Sequence, residues 1–125
     1  MITRDFLLRQ VHQLTQVLAA VLFHKRAGRE EIAQEALDEG LRDALGLSLD
    51  ELLQLRKEEL LAVCRHSESL SPEKALALAD VLREDESLAG QERALWLYEA
   101  ARDAGDLVPY DIADRIADLR RSLEE

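Results

Sequence analysis

The sequence predicts an all-α chain of about six helices that opens with one long N-terminal helix, and three observations lead there. Hydrophobic residues make up 47% of the chain and aromatics only 4%. Leu, Ala, Glu, Arg and Asp dominate and β-branched runs are absent, which is the composition of a helix former. From Thr3 to Arg26 there is no Gly, no Pro and no break. Cap residues then recur along the rest of the chain. At 125 residues and 14.1 kDa, the expected organisation is a single domain over residues 1–125, large enough to bury a modest core without disulfides.

In the first helix Leu7, Val11, Leu14, Leu18 and Val21 recur at spacings of four and three and form one stripe. Leu8, Val17, Leu22 and Phe23 widen that stripe beyond what one neighbour covers. Gln10 to Phe23 carries no formal charge in a chain where 34% of residues are charged, so Gln10, Gln13, Thr15 and Gln16 are expected to sit near other protein. Lys25 and Arg26 suit a helix C-terminus, where they oppose the macrodipole, and Ala27-Gly28 makes a turn.

The second helix is predicted from Arg29 to Leu45, opened by Glu30 and Glu31 and stopped by Gly46. Ala33, Ala36, Gly40 and Ala44 form a line of small side chains on it. A mid-helix glycine costs about 1 kcal/mol against alanine, so Gly40 marks a close approach, with Ala19 and Ala20 of helix one as the expected neighbours in an antiparallel hairpin.

Ser48-Leu49-Asp50-Glu51 has the spacing of a capping box, which starts a short helix at Leu49 ending near Leu55 or Arg56. Another short helix is expected from Lys57 to about Arg65, with Leu60, Leu61 and Cys64 inward, followed by a polar loop over Ser67–Ser71. Ser71-Pro72-Glu73 supplies a cap, a first-turn proline and a favourable acid, and opens a helix to about Ser87. Gly90 reads as a break or a kink, with the next helix from about Gln91 to Ala104. Gly105 and Pro109 bracket the last loop. A final helix from Tyr110 to Leu123 carries Ile112, Ile116, Leu119 and Leu123 on one side.

Ala27-Gly28-Arg29-Glu30 and Ala89-Gly90-Gln91-Glu92 open helices in a similar way, each followed by Ala33 or Ala94, as the helical hairpins of tetratricopeptide repeats do. No full 34-residue period is present, and Ser48 to Ser71 departs from that pattern. Over most of its length the chain resembles an uncharacterised family of short bacterial helical proteins. These open like Arg4-Asp5-Phe6-Leu7-Leu8-Arg9-Gln10, continue with an Ala- and Leu-rich helix and carry a turn like Leu47 to Leu53. The resemblance implies a tetratricopeptide-like fold of stacked helical hairpins and brings no activity or functional residues.

Charge narrows the function. The net charge is −10, which argues against nucleic acid as a partner. Up to Arg29 the chain holds five basic residues and one acid, a local +4, so the remainder carries −14. The most apolar run, Val17 to Phe23, falls far below the ~20 residues that cross a bilayer. No membrane span is therefore expected. Nothing at the N-terminus reads as a secretory signal, and Cys64 is the single cysteine, so a cytoplasmic location without an intrachain disulfide is expected.

The candidates for chemistry are sparse. Cys64 and His66 point about 200° apart if helical and make no nucleophile–base pair. His12, His24 and His66 have no ligand spacing for a metal. The carboxylates Asp80, Glu84 and Asp85, or Asp111, Asp114 and Asp118, stand among arginines as solvated faces do. No catalytic, metal or cofactor-binding residue is assigned and no cofactor is expected. The sequence favours a helical interaction or scaffolding module that binds a protein partner or a second copy of itself. The residues expected to meet the partner are Phe6, Gln10, Gln13, Val17, Trp96 and Tyr98. The alternative is a small-ligand binder or enzyme with a helical pocket near Cys64.

Overall fold

The computed structural model describes residues 4–104 and 109–124. Seven helices stand among them: α1 (Arg4–Arg26), α2 (Glu30–Leu45), α3 (Leu49–Gln54), α4 (Lys57–Val63), α5 (Pro72–Leu82), α6 (Leu88–Ala104) and α7 (Ile112–Glu124). Thr3 and Gly105, read as a helix start and a loop boundary, lie outside the described residues. A hairpin of two-residue strands, β1 (Arg65–His66) and β2 (Ser69–Leu70), joins α4 to α5.

The first turn of the chain needs glycine. Gly28 has φ +75°, a left-handed conformation that reverses the chain after α1. Helices α1 and α2 then run antiparallel, with Gln10 of α1 reaching Ala44 of α2 at one end. Leu14, Val17 and Val21 join Ala33, Leu37, Leu41 and Ala44 in the core. Gly40 is the close approach. A Cβ at that position would stand 2.8 Å from Val17 Cγ1 and nearer still to Cγ2. The neighbour is therefore Val17, and Ala19 and Ala20, the residues expected there, are exposed on α1. The rotational setting of two packed helices depends on both, so one helix's periodicity does not show it.

Two cap motifs set the middle of the chain. Ser48 accepts the Glu51 N–H at 3.1 Å while the Glu51 carboxylate accepts the Ser48 N–H at 3.0 Å. Asp38 of α2 accepts the Leu49 N–H at 2.9 Å and ties α3 to the first hairpin. Ser71 caps α5 by accepting the Lys74 N–H at 3.2 Å, with Pro72 in the first turn. Helix α5 ends at Leu82 rather than Ser87, because Asp85, Ser87 and Gln91 build a polar corner there. The Ser87 hydroxyl donates to the buried Asp85 carboxylate and accepts the Gly90 N–H at 3.1 Å. The Gln91 amide donates to the Arg83 and Asp85 carbonyls at 2.8 and 2.7 Å. Gly90 lies inside the first turn of α6 instead of breaking it, and its lack of a side chain admits the Asp85 carbonyl 2.9 Å from where a Cβ would be.

Packing runs in order α2, α1, α5, α6, α7, with α3 and α4 lying against α6. Two helical hairpins, α1–α2 and α5–α6, thus stack through their first helices. The strand pair β1–β2 turns at Ser67, whose φ of 60° is left-handed. A side chain in that conformation costs roughly 1–2 kcal/mol. Ser67→Gly is expected to raise stability by up to about 1 kcal/mol, read as a higher thermal midpoint; an unchanged or lower midpoint would show that the turn relaxes at no cost.

Candidate functional site

Side chains of α1, of α5 and the turn after it, and of α7 bound an open trough of about 450 Å³. Leu18 and Leu22 form its apolar wall. Asp80, Arg83, Glu84 and Arg115 form the opposite one. The Asp80 carboxylate accepts the hydroxyl of Tyr98 and accepts Arg115 Nη1 at 3.1 Å. Arg115 Nε donates to Asp111, which just precedes α7, at 3.1 Å. Arg83 pairs with Asp118 at 3.7 Å. Lys25 of α1 donates to the Glu84 carbonyl at 2.5 Å and pairs with its carboxylate at 3.3 Å. Burial, followed by the hydrogen bond to Asp80, pushes the Tyr98 phenol well above its ordinary range. It stays protonated and acts as a donor. Every charge in this wall already has an opposite partner, which suits recognition of a surface with both apolar and charged groups more than catalysis by an activated group.

The first hairpin carries a second depression, on its outer side, of about 360 Å³ between α1 and α2. Gln13, Gln16 and Ala20 line it from α1, Ala36, Glu39 and Asp43 from α2, and Val17 and Gly40 floor it.

The residues expected to meet a partner divide between surface and interior. Phe6 is exposed and Gln13 half-buried at the outer depression. Val17 is in the core against Gly40. Gln10 is engaged inside the fold: its amide nitrogen donates to the Ala44 carbonyl at 3.3 Å, and its oxygen accepts Lys74 Nζ at 2.9 Å. Trp96 is half-buried beneath the Arg93 guanidinium, 5.0 Å from its ring. Tyr98 is fully buried and has no surface to offer. Phe6, Gln13 and Val17 share the α2-facing side of α1, while Trp96 and Tyr98 belong to α6. From sequence Leu18 and Leu22 read only as part of an apolar stripe and Asp80, Arg83 and Arg115 only as a solvated face, because the trough exists only where three separate helices meet.

Cys64 closes α4 and is fully buried. Burial pushes its thiol up to about 12. Labelling by a thiol reagent at pH 8 is therefore expected to be slow in the folded protein and to become fast in denaturant, and Cys64→Ala should retain the fold with only a small cavity cost. Rapid stoichiometric labelling of the native chain would show an activated, accessible thiol.

Among the described residues no group of three or more His, Cys, Asp or Glu side chains is placed to hold a metal ion. By length and composition α1 is long and apolar enough to cross a membrane. In this fold its side chains Leu7, Leu14, Val17 and Val21 are buried and Lys25 is bonded to Glu84. Comparison with protein-family models, curated proteins and solved structures finds no match to this chain.

Proposed function

We propose that this chain is a helical protein–protein interaction module whose trough between α1, α5 and α7 receives a helical segment of a partner protein. The observation that supports it is the trough's two-sided character: Leu18 and Leu22 face Asp80, Arg83 and Arg115 across an open channel. An amphipathic helix lays its apolar stripe on such a wall and its polar flank against the charges. The buried, protonated Cys64 gives no support to a catalytic pocket at its position.

Site-specific photocrosslinking in cells tests this reading. A crosslinker at Leu22 is expected to capture a protein of one discrete mass. One at Ala117, turned about 200° from Arg115 on α7, should not. The Leu22 adduct should also disappear in Leu18→Glu at unchanged helicity. Equal capture from both positions, or none from either, would rule the trough out.

A further inference from the structure

Helix α1 is apolar enough by composition to cross a bilayer, yet only 28% of its 18-residue apolar window is buried inside the fold. Its buried side chains, Leu7, Leu14, Val17 and Val21, lie on one side. At about 100° per residue the opposite arc, roughly 120° wide, carries Leu8, Arg9, His12, Ala19, Phe23 and Arg26, all of them exposed. Phe23 is 60% exposed and Leu8 44%. Beside Phe23 a shallow depression of about 600 Å³ is lined by Ala19, Leu22, Phe23, Arg26 and Ala27, with Arg26 its one charged member.

Both ends of this ridge are basic. Arg4 and Arg9 stand at one end, Arg26 and Arg29 at the other, and Asp5 is the one acid before Glu30. None of the four arginines makes an ion pair among the described residues, where Arg65 on β1 is the fifth arginine of that kind. Arg29 instead lies over the Phe23 ring, 5.7 Å from its centroid. Four arginines against Asp5 leave the ridge positive in a chain whose net charge is −10. Glu39 and Asp43 belong to the next helix, ~8–10 Å away, which is about a Debye length at physiological salt. A surface lying on α1 therefore meets the arginines first.

We propose that this ridge lies flat on an anionic phospholipid surface. Leu8 and Phe23 enter the boundary between headgroups and acyl chains, and the four arginines meet lipid phosphates. Charge selects an anionic partner, and shape selects lipid over peptide. A single convex helix has no walls to hold a peptide, whereas a deformable lipid surface can follow all 23 residues of α1, ~34 Å. Arginine suits such a boundary because its stem packs in the apolar layer while the guanidinium stays at the phosphates. His12, Thr15 and Gln16, between the basic ends, sit at headgroup depth. The helix lies on the membrane and does not span it, since Lys25 is bonded to Glu84 and its buried side remains in the fold. Leu18 of the trough points about 140° away from Phe23, so the trough stays open to a protein while the ridge is on lipid.

Vesicle flotation of the full chain, with circular dichroism as the control for folding, provides the test. The wild type is expected to float with phosphatidylcholine vesicles holding about 30% phosphatidylserine and to stay behind with phosphatidylcholine alone. Raising salt from about 0.1 M to about 1 M should release it. Arg9→Glu with Arg26→Glu, both at exposed positions, should raise the lipid needed for half-binding at least about tenfold. Leu8→Ser with Phe23→Ser, which leaves the charge unchanged, should raise it about fivefold. Arg65→Glu, the unpaired arginine away from the ridge, should change nothing. A chain that floats with neither vesicle or equally with both, or that loses as much from Arg65→Glu as from the ridge pair, overturns the proposal. So does a chain that stays off lipid while a crosslinker at Phe23 captures an acidic protein or a second copy, which would give the ridge to that partner. Crosslinking from Leu22 reports separately on the trough: an adduct retained in Arg9→Glu with Arg26→Glu leaves the module reading standing whatever the vesicles show.

Discussion

Gly40→Leu is expected to lower the unfolding free energy by about 1–3 kcal/mol, with a urea midpoint lower by roughly 1 M. Gly40 sits mid-helix, where leucine would gain somewhat under about 1 kcal/mol in helix propensity, so the loss must come from crowding. The crowding group is Val17, whose Cγ1 lies 2.8 Å from the place a Cβ would take and whose Cγ2 is closer. Valine is short and stiff at χ1, and it is itself wedged in the core, so it cannot swing aside as the tip of a lysine would. Relief requires the two helices to separate, which also opens the contacts of Leu14 and Leu37. Combining Gly40→Ala with Val17→Ala should give a coupling of about 0.5–3 kcal/mol, the sign showing mutual relief. An unchanged midpoint for Gly40→Leu would mean that the α1–α2 contact is looser than this geometry.

The second large effect is expected at Lys74. This residue is 4% exposed and sits in the first turn of α5, where the helix dipole is also positive. Its ammonium has three donors, and Gln10 Oε1 is its one acceptor among the described residues, at 2.9 Å. Burial pushes the amine below its ordinary value of 10.5. Replacing the charge, Lys74→Met, is expected to stabilise the fold by about 1–4 kcal/mol at neutral pH. Gln10→Leu, which leaves the ammonium without its acceptor, should cost about 2–3 kcal/mol.

The pH dependence follows from the direction of the shift. The unfolded chain holds the Lys74 proton more tightly than the folded one, so the penalty is fully present below the folded-state value. It is relieved as pH rises from that value toward 10.5. The stability difference between Lys74→Met and wild type should therefore shrink over that alkaline window. A difference that stayed constant with pH would assign the effect to packing alone.

Local signals made much of the fold legible before the structure. Ser48 with Glu51 and Ser71 with Lys74 mark helix starts by hydrogen bonds that span only three residues, so sequence spacing carries the full geometry. Gly40 was legible as a close approach because a glycine in mid-helix has a cost that something must offset. Its partner was not, since Val17 meets it only through the tertiary setting of α1 on α2. The strands Arg65–His66 and Ser69–Leu70 carry no β-forming pattern, and their pairing is imposed by the return of the chain from Cys64 to Ser71, closed by the Ser71 N–H on the Cys64 carbonyl at 2.8 Å. Tyr98 shows the limit for the site. An aromatic with a polar tip suits an outer face and an interior equally well until its acceptor, Asp80 on α5, is known.

The attachment of α7 has a consequence for how the molecule opens. Ile112, Ile116 and Leu119 are its buried side chains, and much of its remaining hold is electrostatic: Arg115 to Asp80, Asp118 to Arg83 and Arg120 to Glu99. By contrast, α1 and α5 are each packed between two other helices. Amide protons of α7 should thus exchange with solvent through a sub-global opening of lower free energy than the one that exposes α1 and α5. Salt and acid, which weaken partly exposed ion pairs but leave aliphatic burial in place, will widen that gap. The trough would then lose its Arg115 wall while Leu18, Leu22 and Asp80 keep their places, so its shape depends on a helix held less firmly than α1 and α5.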